Sequence, residues 1–366
     1  MEEDTEINDN QVDSNESSIE DHIQETQSFR KIHNISFSGG GLKAIVFLGC
    51  VKALQEYNML TDVRAISGSS AGALVATLLA CKCDYKKISE YMHGLMDMYS
   101  TYQMSFFKLI RKMRSKTYGV YDTNDLKEYI RNIINASTET NTDITFLELY
   151  KISNIKLIIT ATCLDDKTIF YFNHETTPDT SVSEACMISC NIPFMFERKV
   201  FMEKNMTDGC ITELLPMQCW SDSEMHNTLA FLIVKNKKKK EYNTIRDYMD
   251  DLMSSNFAYQ IEDYKKRYFD SLCIVSPPQS IGTFPTPGTF PSREEMSAII
   301  YSSFFQTLST LESKGYKEKN LIPANYIYEN DISIQHEEAS EWPISHVSFV
   351  IFIILMIYLY KIYRRR

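Results

Sequence analysis

Apolar residues in this chain fall into short continuous runs, separated by Gly- and Asn-bearing turns and by longer segments of helical period. Runs of four to eight aliphatic and aromatic residues bounded by such turns read as strands. They occur at 32–37, 63–67, 155–162 with a neighbour at 168–172, 199–202, 228–234 and 272–275. Between them the spacing predicts helices. Residues 44–54 are apolar almost throughout and stop before Asn58; from Ala71 onward the chain is rich in Ala and Leu. Residues 85–114 are amphipathic and dense in Met, Tyr and Phe, which predicts a packed helix face or an acyl-binding channel. A turn and a further helix span 118–135, with Leu126, Ile130, Ile133 and Ile134 at helical spacing, and a short helix covers 183–189. Residues 243–269 and 293–311 complete the set, the last opening on the capping box Ser292-x-x-Glu295. Strands alternating with helices place the chain in the α/β class.

Both ends depart from this pattern. Residues 1–30 form a polar tail: 1–29 carry ten acidic residues and no Lys or Arg, the composition of a disordered segment. Residues 344–360 carry no formal charge and are dense in Ile, Leu, Phe and Val. They sit between Trp342 and Lys361, Arg364, Arg365 and Arg366. An apolar stretch with an aromatic and basic collar predicts a transmembrane anchor over 344–363, inserted after translation, with the catalytic part facing the cytosol.

The net charge of −10 belongs to the tail, since the remainder balances 38 acidic against 38 basic residues. That balance excludes a nucleic-acid-binding domain, which would show a basic excess. The run Lys235-Asn236-Lys237-Lys238-Lys239-Lys240 reads as a solvated loop, or beside a membrane anchor as a headgroup contact. Nine cysteines lack framework spacing and point to reduced thiols. Cys81-x-Cys83 and Cys186-x-x-x-Cys190 have no Cys/His tetrad of zinc spacing around them, so neither a metal nor a cofactor is expected.

The chemistry concentrates in three places. Gly68-Ser69-Ser70-Ala71-Gly72 fits Gly-x-Ser-x-Gly and lies between a strand and a helix. A tight turn there lifts the Ser70 hydroxyl clear of its neighbours, and the helix aims N–H groups at negative charge forming beside it. Upstream, Ser38-Gly39-Gly40-Gly41-Leu42-Lys43 follows the first strand and exposes backbone N–H groups to an anion. A phosphate cradle would carry Gly-x-x-x-x-Gly-Lys-Ser/Thr, which is absent. An oxyanion hole needs only two aimed N–H groups, and a serine elbow some thirty residues later favours it. Downstream, Asp208-Gly209 reads as a turn just past the strand at 199–202.

In that order and at that spacing the Gly39-Gly40-Gly41-Leu42-Lys43, Gly68–Gly72 and Asp208-Gly209 motifs resemble those of the patatin-like phospholipases. Ile159-Thr160-Ala161-Thr162 and the approach through Ser189, Ile192 and Pro193 to Asp208 are similar too, so the likeness covers about residues 32–216. The resemblance implies a three-layer α/β/α sandwich on a mostly parallel sheet, with a catalytic domain over 31–222 and an extension of the same domain over 223–340. It implies a Ser-Asp dyad in which Ser70 attacks an ester of a membrane lipid and Asp208 takes its proton. Gly39, Gly40, Gly41 and Ala71 would supply the oxyanion hole, and Lys43, Gly68, Gly72 and Gly209 belong to the motifs. Two positions depart from the family pattern: Ala44 stands where the loop usually ends in Gly, and Cys210 where Gly or Ala usually follows Asp-Gly. Both residues are small, and altered packing rather than lost catalysis is expected.

Two other readings compete. The order Ser70, Asp208, His226 matches that of a Ser-Asp-His hydrolase, with His174 as a further candidate base. A membrane-tethered scaffold with an inert core is the alternative from outside enzymology.

Overall fold

The computed structural model describes residues 29–100, 118–235, 245–278, 281 and 290–317. The predicted acidic tail, the second part of the 85–114 helix, the lysine run beyond Lys235, most of the proline-bearing loop and the predicted anchor lie outside the described residues.

In chain order the elements are β1 (Asn34–Phe37), α1 (Val46–Glu56), β2 (Ala65–Gly68), α2 (Ala71–Ala80) and α3 (Tyr85–Ser100). Next come β3 (Gly119–Tyr121), α4 (Asn124–Thr138), α5 (Phe146–Ser153), β4 (Lys156–Cys163), β5 (Thr168–Phe172) and α6 (Val182–Ser189). The rest comprises β6 (Phe194–Phe196), β7 (Lys199–Phe201), β8 (Lys204–Asp208), α7 (Asp222–Met225), β9 (Thr228–Ile233), α8 (Ile245–Arg267), β10 (Leu272–Val275) and α9 (Arg293–Ser313). Strands β10, β9, β1, β2 and β4 pair in that order, all parallel. Antiparallel strands close the far edge: β5 and β8 both pair with β4, and β7 pairs with β8. A short parallel pair, β3 with β6, stands apart.

The strands read as unbroken apolar runs because both faces of the sheet are covered. Side chains alternate between faces along a strand. Ile35, Phe37, Ile66, Leu157, Ile159, Leu229 and Phe231 enter one core with the buried residues of α1, α2 and α9. Their neighbours Ala65, Ile158, Ala230 and Leu232 enter a second core with Leu215, Met217, Trp220 and, from α8, Tyr264. The sheet is therefore the middle layer of three. Ser36 and Ser67 are buried between the sheet and the 214–220 segment, and their hydroxyls are satisfied there. The two oxygens lie 2.8 Å apart, and Trp220 Nε1 donates to Ser36 Oγ at 2.7 Å.

Two expectations need adjustment. Asp208 ends a strand of its own, β8, rather than sitting in a turn after the 199–202 strand. The intervening hairpin turns through Met202 and Glu203, whose φ values of 47° and 64° are left-handed. Residues 41–45 form a 3-10 turn, so the α-helix begins at Val46 rather than Ala44. The described part of the Met-rich helix is packed, with Met92, Leu95 and Met96 buried.

Candidate active site

The elbow forms because Gly68 and Gly72 let strand and helix cross in contact. A Cβ on Gly68 would lie 2.4 Å from the Gly72 carbonyl oxygen. One on Gly72 would lie 2.5 Å from the carbonyl oxygens of Phe37 and Ser38 at the end of β1. Between them Ser70 adopts φ 51° and ψ −124°, a conformation costly for a residue with a Cβ. It is held there at the N-terminus of α2, with its own N–H donating to Ser189 Oγ at 2.9 Å.

Ser70 Oγ donates to Asp208 Oδ2 at 2.6 Å across 138 residues of chain. The other carboxylate oxygen accepts from the Cys210 N–H at 2.9 Å. Asp208 is buried, and burial pushes its carboxyl up to about 6, while the bonds from Ser70 and Cys210 pull it the other way. A carboxylate so placed has the basicity to take a proton from a hydroxyl near neutral pH.

The glycine loop lies directly alongside. Gly41 has φ 56°, which favours glycine, and Gly40 caps the 3-10 turn, to which Lys43 contributes its N–H. Among the described residues no protein acceptor meets the N–H groups of Gly40, Gly41 or Ala71. Gly39 behaves differently from expectation: its N–H donates to the Leu214 carbonyl at 2.8 Å and is unavailable to an oxyanion. Its role is steric, since a Cβ there would sit 1.9 Å from Cys210 Sγ. Gly209 is likewise crowded, with Thr160 Oγ1 2.4 Å from where its Cβ would be. Ala44 is fully buried at the base of the loop.

The two histidines stand elsewhere. His226 is exposed just before β9, and its carbonyl accepts from Arg30 Nε. Since β9 runs parallel to β1 and β2, its start is at the end of the sheet opposite Gly39 and Ser70. His174 follows β5, which runs antiparallel to β4, and it stacks on Tyr150 at 3.8 Å at that same opposite end. Neither His226 nor His174 therefore forms a Ser-Asp-His arrangement with Ser70 and Asp208. Cys81, Cys83, Cys186 and Cys190 are free, buried thiols, with burial raising each one.

The sequence profile described as patatin-like phospholipase matches residues 35–218. The chain belongs to the patatin-like phospholipase family. Its relatives include an uncharacterized protein of Acanthamoeba polyphaga mimivirus, 25% identical over 270 residues that span 71% of this chain and 86% of that protein. Triacylglycerol lipase ptl3 of Schizosaccharomyces pombe is 25% identical over 206 residues, 52% of this chain and 40% of the lipase. Omega-hydroxyceramide transacylase of Mus musculus is 24% identical over 211 residues, 54% of this chain and 30% of that enzyme. The match thus spans less than half the length of these two enzymes. Among solved structures, VipD from Legionella pneumophila shares the fold, with a TM-score of 0.52 at 16% identity over 78% of this chain and 67% of that one. The patatin-like α/β fold with its mostly parallel sheet accounts for the elbow, loop and Asp-Gly turn meeting at one end of the strands.

No sequence motif marks the bonds made by Ser189 and the Asn191 carbonyl as functional. A usable signal exists: Ser189 is a hydroxyl on a helix whose residues 182–189 are mostly buried, and a buried hydroxyl needs a partner.

Proposed function

We propose that the protein is a membrane-anchored lipid acyl hydrolase that cleaves carboxyl esters of phospholipids or acylglycerols through a Ser70–Asp208 dyad. The observation that carries this reading is the 2.6 Å bond from Ser70 Oγ to a buried carboxylate, on a strained elbow beside backbone N–H groups that meet no protein acceptor among the described residues. Ser70 Oγ attacks the ester carbonyl carbon while Asp208 accepts its proton. The carbonyl oxygen becomes an oxyanion facing the N–H groups of Gly40, Gly41 and Ala71. Collapse expels the alcohol, which leaves with the proton from Asp208, and the acyl group stays on Ser70. Water then attacks the acyl-enzyme, giving its proton to Asp208, and the second collapse releases the fatty acid as Ser70 recovers that proton.

The membrane part of the proposal rests on the composition of residues 344–363. Among the described residues no helix is long and apolar enough to cross a membrane. Alkaline extraction of membranes from expressing cells tests it: the full chain should stay with the lipid pellet, and a chain ending at Glu341 should not. The hydrolase reading is tested by an acyl-chain fluorophosphonate probe. Labelling of wild type and its loss in Ser70→Ala are expected; equal labelling of both, or of neither, would overturn it.

A further inference from the structure

Nucleophile and base come from strands far apart in the chain, yet one tripeptide touches both. Ser189 closes α6, is fully buried, and its Oγ accepts the Ser70 N–H at 2.9 Å. Two residues on, the Asn191 carbonyl accepts the Asp208 N–H at 3.1 Å and the Thr207 hydroxyl at 3.0 Å. The stretch is itself tied down. Cys190 N–H donates to the Cys186 carbonyl and Asn191 N–H to that of Ile188, while the Asn191 side-chain amide donates to the Glu197 carbonyl at 3.2 Å.

We propose that Ser189-Cys190-Asn191 is the positioning element of the dyad, with Ser189 the residue that sets the nucleophile against the base. The proposal rests on the Ser70–Asp208 reading and adds a requirement to it. A serine at φ 51° stays there only where its surroundings over-determine it. Gly68 and Gly72 permit the turn without enforcing it. Backbone bonds from the Gly72 and Ala73 N–H groups to the Ser69 and Ser70 carbonyls close the turn on its helix side, and the Ser189 hydroxyl adds the side-chain acceptor that holds the Ser70 N–H itself. That bond also keeps the Ser70 N–H away from the carbonyl oxygen of a substrate, which leaves Gly40, Gly41 and Ala71 to meet the oxyanion. On the other side the Asn191 carbonyl fixes the last two residues of β8. The two distances are therefore set from a common origin, and small errors in either strand do not accumulate between Oγ and Oδ2. Because reactivity falls steeply with a misplacement of about 1 Å, such an origin has kinetic value.

Asp208 also reports on the clamp. The groups that titrate around it are the thiols of Cys190, from the clamp itself, and Cys210, from the turn that follows, both kept protonated by burial. Its β4 neighbours, Ala161 and Thr162, do not titrate. The Ser70 hydroxyl lowers the Asp208 value, so loosening Ser70 lets it rise.

The test compares Ser189→Ala, Ser189→Thr and Ser70→Ala with wild type in the full chain. It measures hydrolysis of a p-nitrophenyl acyl ester from pH 5 to 9, with thermal unfolding as a control. Ser189→Ala should lower kcat on the order of 10- to 100-fold with KM little changed, and should move the acid limb of kcat/KM to higher pH. Ser189→Thr, which restores the acceptor, should recover most of the kcat and the wild-type limb. An unchanged kcat in Ser189→Ala would overturn the positioning role. So would a loss of kcat that leaves the limb in place and follows a loss of folded protein. Ser70→Ala separates the two claims. If it is inactive while Ser189→Ala matches wild type, only the clamp fails; if it keeps wild-type turnover, the dyad fails with it.

Discussion

Gly68 and Asp208 share one edge of β4, where they pair with Ile159 and Ala161, two residues apart. The other edge is taken by β5, which pairs with residues 159–163. Strands β2 and β8 therefore run toward each other along the same side of β4 and end head to head. Sheet register, rather than a flexible loop, delivers the serine elbow and the carboxylate to one place. A slip of one residue in β8 would turn Asp208 to the opposite face.

That arrangement predicts a sharp functional split. Ser70→Ala removes the proposed nucleophile, and Asp208→Asn keeps the shape while removing the proposed proton acceptor. Each should lower kcat/KM by about 10³-fold or more while the far-UV circular dichroism stays that of wild type. A residual rate within tenfold of wild type for either variant would mean that another group does the chemistry.

The pH dependence follows from the same carboxyl. Asp208 must be ionised to accept a proton, and burial pushes it up from 3.8 to about 6. Activity should therefore fall roughly tenfold per pH unit below about pH 6. Stability runs the other way. Between about pH 4 and 6 the folded chain holds a proton that the unfolded chain has released. The stabilisation this gives is full below the unfolded value and is lost as pH rises through the folded one, a difference of about 3 kcal/mol. Asp208→Asn retains a donor for Ser70 and an acceptor for Cys210 without the buried charge. It should melt several degrees above wild type at pH 7.5 and match it near pH 4, as read by calorimetry at both.

His226→Ala should leave turnover within about twofold of wild type, because that side chain is exposed at the other end of the parallel strands. A loss of two or more orders of magnitude in a steady-state ester assay would restore histidine to the mechanism.

What could be read from sequence, and what could not, follows the range of the forces involved. The elbow is local: five residues specify a strand-to-helix turn through steric demands within the turn itself, so Ser70 was legible. The strands at 155–162 and 272–275 were legible because burial on both faces leaves continuous apolar runs. Asp-Gly is a turn dipeptide and predicts a turn at Asp208; the strand that Asp208 ends, Lys204–Asp208, is polar at Lys204 and Asn205 and exists through pairing with β7 and β4. The loop glycines were found as a group, but the N–H of Gly39 is captured by Leu214, some 175 residues away. No local pattern carries that bond. The same holds for Ser189, whose partner lies in another helix turn.

The last prediction concerns the two small residues that face each other across the site. Cys210 Sγ occupies the space that a Cβ on Gly39 would need, at 1.9 Å, and it lies 3.4 Å from Ser69 Oγ. Gly39→Ala alone must push the thiol or the loop aside. Overpacking of this kind costs about 1–3 kcal/mol, and here the displaced atoms border Ser69, Ser70 and Asp208, so turnover should fall with stability. Cys210→Ala alone vacates the thiol's space beside Gly39 at a smaller cost. In the double variant the new methyl group meets that vacated space, and both the melting temperature and kcat should recover most of the loss. A double-mutant cycle measures this as a coupling energy of about 1–3 kcal/mol in the favourable direction. Strict additivity of the two changes would show that the thiol does not set the cost of the methyl group, leaving the Ser69 carbonyl oxygen at 3.3 Å and Ser70 Cβ at 3.4 Å as the atoms that do.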